Sequence, residues 1–213
     1  MHESIYNLKK IEKEINFKKD ISIIAISKTF AMDNILPLLE YGHLNFGENK
    51  VQEAKIKWND VKKTYPEIKL HMVGKLQTNK VKIAVNLFDY IHTVDNPKLA
   101  EKIKIEQEKI NKKLKLFIQV NIGDEHQKNG VTIKDLKNFH EYLVNDLKIN
   151  IVGLMCIPPI DFESKKVFEM MRNMNSNLGL KELSMGMSSD YLEAAHNGST
   201  FIRIGTKIFG NRN

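Results

Sequence analysis

The chain has 213 residues, 42% hydrophobic and 28% charged, the balance of an ordinary globular protein and not of a disordered or collagen-like one. No apolar run approaches the roughly 18 residues that span a bilayer, and the longest, 151–160, is broken by Pro158 and Pro159. The net charge of +7 invites a nucleic-acid partner, but nearly all the basic residues are lysines scattered along the chain, which reads as a solvated basic surface.

In chain order, a helix is expected near 5–15, then a strand over 22–27. Asp33 is placed to cap a helix that runs to Tyr41 and stops at Gly42. A strand at 45–46 leads to a helix over 49–63, with Val51, Ala54, Trp58 and Val61 on one stripe. Strands follow at 70–73 and 90–94. Asn96 and Pro97 read as an N-cap and first helical position. After a strand at 116–120, Thr132 and Asp135 resemble a capping box. A strand at 151–156 precedes a helix over 164–178 closed by Gly179. The remaining elements are a strand at 183–185, a helix over 189–197 closed by Gly198, and a strand at 201–204.

That makes eight strands, several of them continuous apolar runs, as parallel strands buried on both faces require. No linker or repeat divides them. The fold class is therefore α/β: one closed (β/α)8 barrel over residues 1–213, with an extra N-terminal helix. An open doubly wound sheet is the runner-up. It usually has a Gly-rich turn after its first strand, where this chain has Ser27-Lys28-Thr29.

In a barrel the chemistry sits where strands end. Lys28 leaves an apolar strand at the mouth, where partial desolvation favours a neutral, nucleophilic amine. Two small-residue turns, Ser184-Met185-Gly186-Met187-Ser188-Ser189 and Gly205-Thr206, end the last two strands and are placed to form a phosphate cup, the second opening a short helix at 207–209. Arg203, the one arginine inside an apolar strand, faces either a ligand or an interior carboxylate such as Glu48. His71 reads as a core histidine and Cys156 as inert core. The histidines show no metal-ligand spacing, so no metal is expected. Amine, cup and guanidinium together suit pyridoxal 5'-phosphate; a Schiff-base aldolase or a phosphosugar isomerase would use similar groups.

The ordered segments 25–29, 46–49 with Val51-Gln52-Glu53, His71 with Gly74, Leu76-Gln77 and Asn79-Lys80, 153–155, 184–188 with Asp190, and 198–210 together resemble the pyridoxal phosphate homeostasis protein family. The barrel is also similar to the N-terminal domain of alanine racemase. The resemblance implies that Lys28 forms a Schiff base with the cofactor and that Arg203 meets the pyridine nitrogen. Ser188, Gly205 and Thr206 would hold the phosphate, with Met185 and Asn49 as further cofactor contacts. The racemase carries a second domain with a catalytic tyrosine. This sequence ends three residues past Gly210, so that domain is expected to be absent.

A permanently charged arginine at the pyridine nitrogen keeps that nitrogen unprotonated and the ring a poor electron sink. The implied role is a non-catalytic carrier of pyridoxal 5'-phosphate in vitamin B6 homeostasis, the alternative being a small amino-acid racemase. Apo forms of pyridoxal-dependent enzymes are expected acceptors, and neither nucleic acid nor membrane is an expected partner. The chain is expected to be a monomer. A single cysteine and an N-terminus without an apolar secretory core imply the cytoplasm. Lys50 and Lys75 depart from the family pattern.

Overall fold

Apolar strands that must be buried on both faces close on themselves here. The computed structural model describes residues 2–18, 20–124 and 129–211; Met1, Lys19 and Arg212 lie outside them. The strands are β1 (Ser22–Ile26), β2 (Asn45–Glu48), β3 (Lys69–Met72), β4 (Tyr90–Val94), β5 (Lys115–Asn121), β6 (Val131–Thr132), β7 (Ile151–Met155), β8 (Glu182–Ser184) and β9 (Phe201–Ile204). All pairings are parallel. β1 joins β2 on one side and β9 on the other, and β4 meets β5, which closes an eight-stranded barrel. The two-residue β6, not foreseen from sequence, is added to the edge of β5.

The helices are α1 (Glu3–Glu14), α2 (Met32–Glu40), α3 (Val51–Trp58), α4 (Val61–Thr64), α5 (Val81–Leu87), α6 (Pro97–Lys109), α7 (Leu136–Glu141), α8 (Ser164–Asn177), α9 (Tyr191–His196) and α10 (Thr206–Phe209). Among the described residues no helix is long and apolar enough to cross a membrane. The extra N-terminal helix α1 packs against α10, where Asn7 donates to the Ile208 carbonyl at 3.2 Å.

Three local expectations need correction. The helix expected over 49–63 breaks after Trp58, because Asn59 and Asp60 are weak helix formers and Trp58 is anchored in the core against Phe46. Asp33 sits inside the first turn of α2, with Ala31 as N-cap, so its charge faces the helix dipole without capping it. Thr132 and Asp135 bond each other at 2.7 Å, but they close a turn ahead of α7, which starts at Leu136. By contrast, Asn96 caps α6 by accepting from the Leu99 amide at 2.9 Å, with Pro97 as its first residue.

Strand alternation sorts the side chains into two cores. Ile24, Ile26, Tyr90, Phe117, Met155 and Phe201 pack together inside the barrel. Their strand neighbours Ile23, Ala25, Phe46, Leu70, Ile91 and Ile202 belong to the larger core beneath the helices. The inward rows continue past the strand ends two residues at a time: Ile24, Ile26, then Lys28; Gly47, then Asn49; Phe201, Arg203, then Gly205.

Candidate functional site

These rows converge on a cleft of about 400 Å³ at the C-terminal mouth of the barrel. Lys28, Asn49, Ser188, Arg203, Gly205 and Thr206 all line it. Ser189 and Met187, from the turn the sequence offered for the cup, extend the wall on the β8 side, while Ile26, Val73 and Ile157, which were not among the site candidates, give it an apolar flank. Hollows of 470 and 540 Å³ occur elsewhere, but they lie among lysines on the outer surface, away from the strand ends. Lys50 and Lys75 line a neighbouring hollow of about 360 Å³ that shares Asn49 with the cleft.

Met185 is not in the cleft. Ser184 faces inward, so the next residue faces out, and Met185 is fully buried in the core beneath the helices. Its carbonyl instead accepts from Ser199 Oγ at 2.8 Å. Gly186 makes the turn after it. Its φ of +92° suits glycine, and a Cβ there would stand 2.5 Å from that of Ala194. The Gly186 carbonyl accepts from the Arg203 amide at 2.9 Å, so this turn ties the end of β8 to β9.

Arg203 is 5% exposed. Its terminal nitrogens donate to Ser184 Oγ and to the Cys156 carbonyl, each at 2.8 Å. Burial lowers its pKa, but a guanidinium starts so far above neutrality that it stays charged. Asp190 favours that charge from a distance, and its Oδ1 accepts from the Met187 amide at 2.6 Å. Among the described residues Arg203 forms no ion pair. The pairing with Glu48 offered by the sequence does not occur, because Glu48 lies on the outward row of β2. Burial pushes the Cys156 thiol up to about 12, which leaves it inert.

Glu48 works instead from behind the cleft. Its side chain is fully buried, and Oε1 accepts from Ser27 Oγ (2.7 Å), Lys57 Nζ (2.9 Å) and Trp58 Nε1 (2.9 Å). Lys57 also donates to the Ser27 carbonyl (2.8 Å) and to Glu53 (3.1 Å). Glu53 in turn accepts from the Thr29 amide at 2.6 Å. Burial opposes charge on Glu53, but the Thr29 amide and Lys57 outweigh it and hold the carboxyl below its usual range. Thr29 needs that hold, since its φ of +67° is unfavourable for a β-branched residue. The residues on both sides of Lys28 are thus clamped by one ionic cluster. The amides of Ser188, Ser189 and Thr206 carry no backbone hydrogen bond among the described residues, and all three residues line the cleft beside Gly205.

A closed parallel barrel with an amine, a buried guanidinium and a small-residue cup at its mouth defines a class of cofactor-holding (β/α)8 domains. The sequence matches the family described as "Alanine racemase, N-terminal domain" over residues 4–213. The pyridoxal phosphate homeostasis protein of Vibrio alginolyticus is 35% identical over 204 residues, which cover 91% of this chain and 88% of that protein. Its Escherichia coli counterpart is 31% identical over 229 residues, covering 100% and 98%. The chain belongs to the pyridoxal phosphate homeostasis protein family. A solved structure of PipY from Synechococcus elongatus with pyridoxal phosphate bound superposes with a TM-score of 0.89 at 33% identity, covering 97% of this chain and all of that one. Alanine racemase from Corynebacterium glutamicum shares the fold, with a TM-score of 0.76 at 14% identity over 61% of its length.

Proposed function

We propose that the mouth cleft holds pyridoxal 5'-phosphate and that the protein serves vitamin B6 homeostasis as a carrier, with little or no turnover. The observation that carries this is Arg203. A permanently charged, buried guanidinium without an ion pair among the described residues calls for a partner in the cleft it lines. The other lining groups fit the same ligand. Lys28 offers an amine for the Schiff base, and Ser188, Gly205 and Thr206 offer hydroxyls, amides and room for a phosphate. Asn49 and the apolar flank of Ile26, Val73 and Ile157 suit a ring. When bound, the cofactor supplies an aldehyde and an electron-withdrawing ring.

The relatives support a carrier over a racemase: near full-length matches at 35% and 31% identity are named for pyridoxal phosphate homeostasis, whereas alanine racemase shares the fold at 14% identity. Apo pyridoxal-dependent enzymes are the acceptors in this reading, and the protein works as a cytoplasmic monomer. The test is a paired titration with pyridoxal phosphate and pyridoxal, followed by incubation of the loaded protein with L-alanine and chiral analysis. The reading expects strong preference for the phosphate form and no D-alanine. Equal affinity for both forms, or D-alanine at ordinary enzyme rates of about 1–1000 per second, would overturn it.

A further inference from the structure

The bond from Arg203 to Ser184 is one end of a longer chain. Ser184 Oγ lies 2.8 Å from His92 Nδ1. His92 Nε2 lies 3.0 Å from His71 Nδ1, and His71 Nε2 lies 3.1 Å from Asn45 Oδ1. Ser184, His92 and His71 are fully buried, whereas Asn45, at the entry of β2, is half-buried at the opposite end of the barrel. Stacking fixes both rings: His71 on Tyr90 with centroids 4.2 Å apart, and His92 on Phe117 at 4.3 Å.

Burial keeps both imidazoles neutral. It pulls the pKa of His71 down to about 3 and that of His92 well below the ordinary value, with Arg203 and His71 pushing His92 the same way. A neutral imidazole has one donor and one acceptor, and a guanidinium only donates. These facts give the chain a direction. Arg203 donates to Ser184, so the hydroxyl hydrogen passes on to His92 Nδ1. His92 then carries its hydrogen on Nε2 and donates to His71 Nδ1. His71 likewise carries its hydrogen on Nε2 and donates to Asn45 Oδ1. The reverse sense would leave the buried Ser184 hydrogen without an acceptor among the described residues.

We propose that His92 and His71 are positioning residues for Arg203: their one-way relay pins the Ser184 hydroxyl with a lone pair toward the guanidinium, and so holds Arg203 as a fixed donor at the cofactor ring. This rests on the placement of Arg203 at the ring in the proposed function. A serine hydroxyl alone rotates freely; one that donates to a stacked, buried ring does not. Arg203 then has two fixed acceptors, Ser184 and the Cys156 carbonyl, which leaves its remaining N–H groups for the cleft.

Two measurements test it. The first is the nitrogen NMR spectrum of the histidine rings in ligand-free protein near pH 6, which should show both His71 and His92 as Nε2–H tautomers. An Nδ1–H form of either ring would overturn the relay. The second is the dissociation rate of pyridoxal phosphate from the loaded protein in four variants. Arg203→Gln should raise it tenfold or more. His92→Phe keeps the stack on Phe117 but removes the acceptor of the Ser184 hydrogen, and should raise it about tenfold, the upper end for one hydrogen bond between neutral groups. Ser184→Ala, a smaller change, should match it. His92→Asn offers an amide oxygen near the place of Nδ1 and should return the rate to within about threefold of wild type. A raised rate in Arg203→Gln beside unchanged rates in His92→Phe and Ser184→Ala would overturn the positioning role alone. An unchanged rate in Arg203→Gln would overturn the ring placement, and the positioning role with it.

Discussion

Changing Lys57 to Met tests how the end of β1 is held. The Lys57 side chain is 9% exposed and supplies the one ammonium on the Glu48 carboxylate among the described residues. Methionine keeps much of the stem and deletes the charge. Glu48 would then keep two neutral donors, Ser27 and Trp58, on Oε1, while Oε2 has no partner among the described residues. Removing one member of a buried ion pair costs roughly 3–5 kcal/mol, because the other charge stays buried. With two donors remaining, about 3 kcal/mol is expected. The assay is urea unfolding followed by circular dichroism. At a slope near 2 kcal/mol per molar, the midpoint should fall by about 1.5 M. Adding Glu48→Gln to Lys57→Met should recover half of that loss or more, since no charge is then stranded. A midpoint shift below about 0.5 M, or no recovery in the double variant, would refute the clamp and leave Lys57 as an ordinary solvated lysine.

Three further outcomes are expected. Thr206→Val removes one hydroxyl and keeps the shape, so affinity for pyridoxal phosphate should fall roughly ten- to hundredfold by titration while affinity for pyridoxal barely changes. Stability should be intact above pH 6.5 and decline below it. In that range the unfolded chain takes up a proton on His71 that the folded chain refuses until about pH 3, at about 1.4 kcal/mol per pH unit. His92 adds in the same direction, and a melting temperature that stays flat from pH 6.5 to 5 would contradict the burial of both rings. Arg203→Glu, which puts a carboxylate at the ring nitrogen, should speed α-proton exchange of bound L-alanine above the wild-type rate, as read by NMR in deuterated buffer.

The barrel was legible because apolar β-strands repeated along the whole chain, each followed by a helix with recognisable signals such as Asn96-Pro97 or Gly179. The cleft was legible because strand ends in a barrel share one rim, which brought Lys28, Asn49, and Arg203 with Thr206 into a single cleft from three separate segments. Met185 was misplaced although the alternation could have corrected it: if Ser184 faces in, Met185 faces out. The clamp was only half visible. Glu53 and Lys57 are four apart on a helix face, but their joint hold on Ser27 and Glu48 depends on how α3 sits against β1 and β2. The relay left no sequence signal, since His71, His92 and Ser184 lie on three strands and become neighbours only when the barrel closes. The break at Asn59-Asp60 was hidden by an apolar stripe that continues to Val61, and β6 is too short for any period.

The central claim is that Lys28 is the residue that holds the cofactor. Protein purified with pyridoxal phosphate should be yellow, and borohydride should abolish the visible band. Peptide mapping by mass spectrometry should then place the reduced adduct on Lys28, and Lys28→Ala should fold with an unchanged circular dichroism spectrum while showing neither band nor adduct. An adduct confined to any other lysine, or a band that persists in Lys28→Ala, would contradict the account.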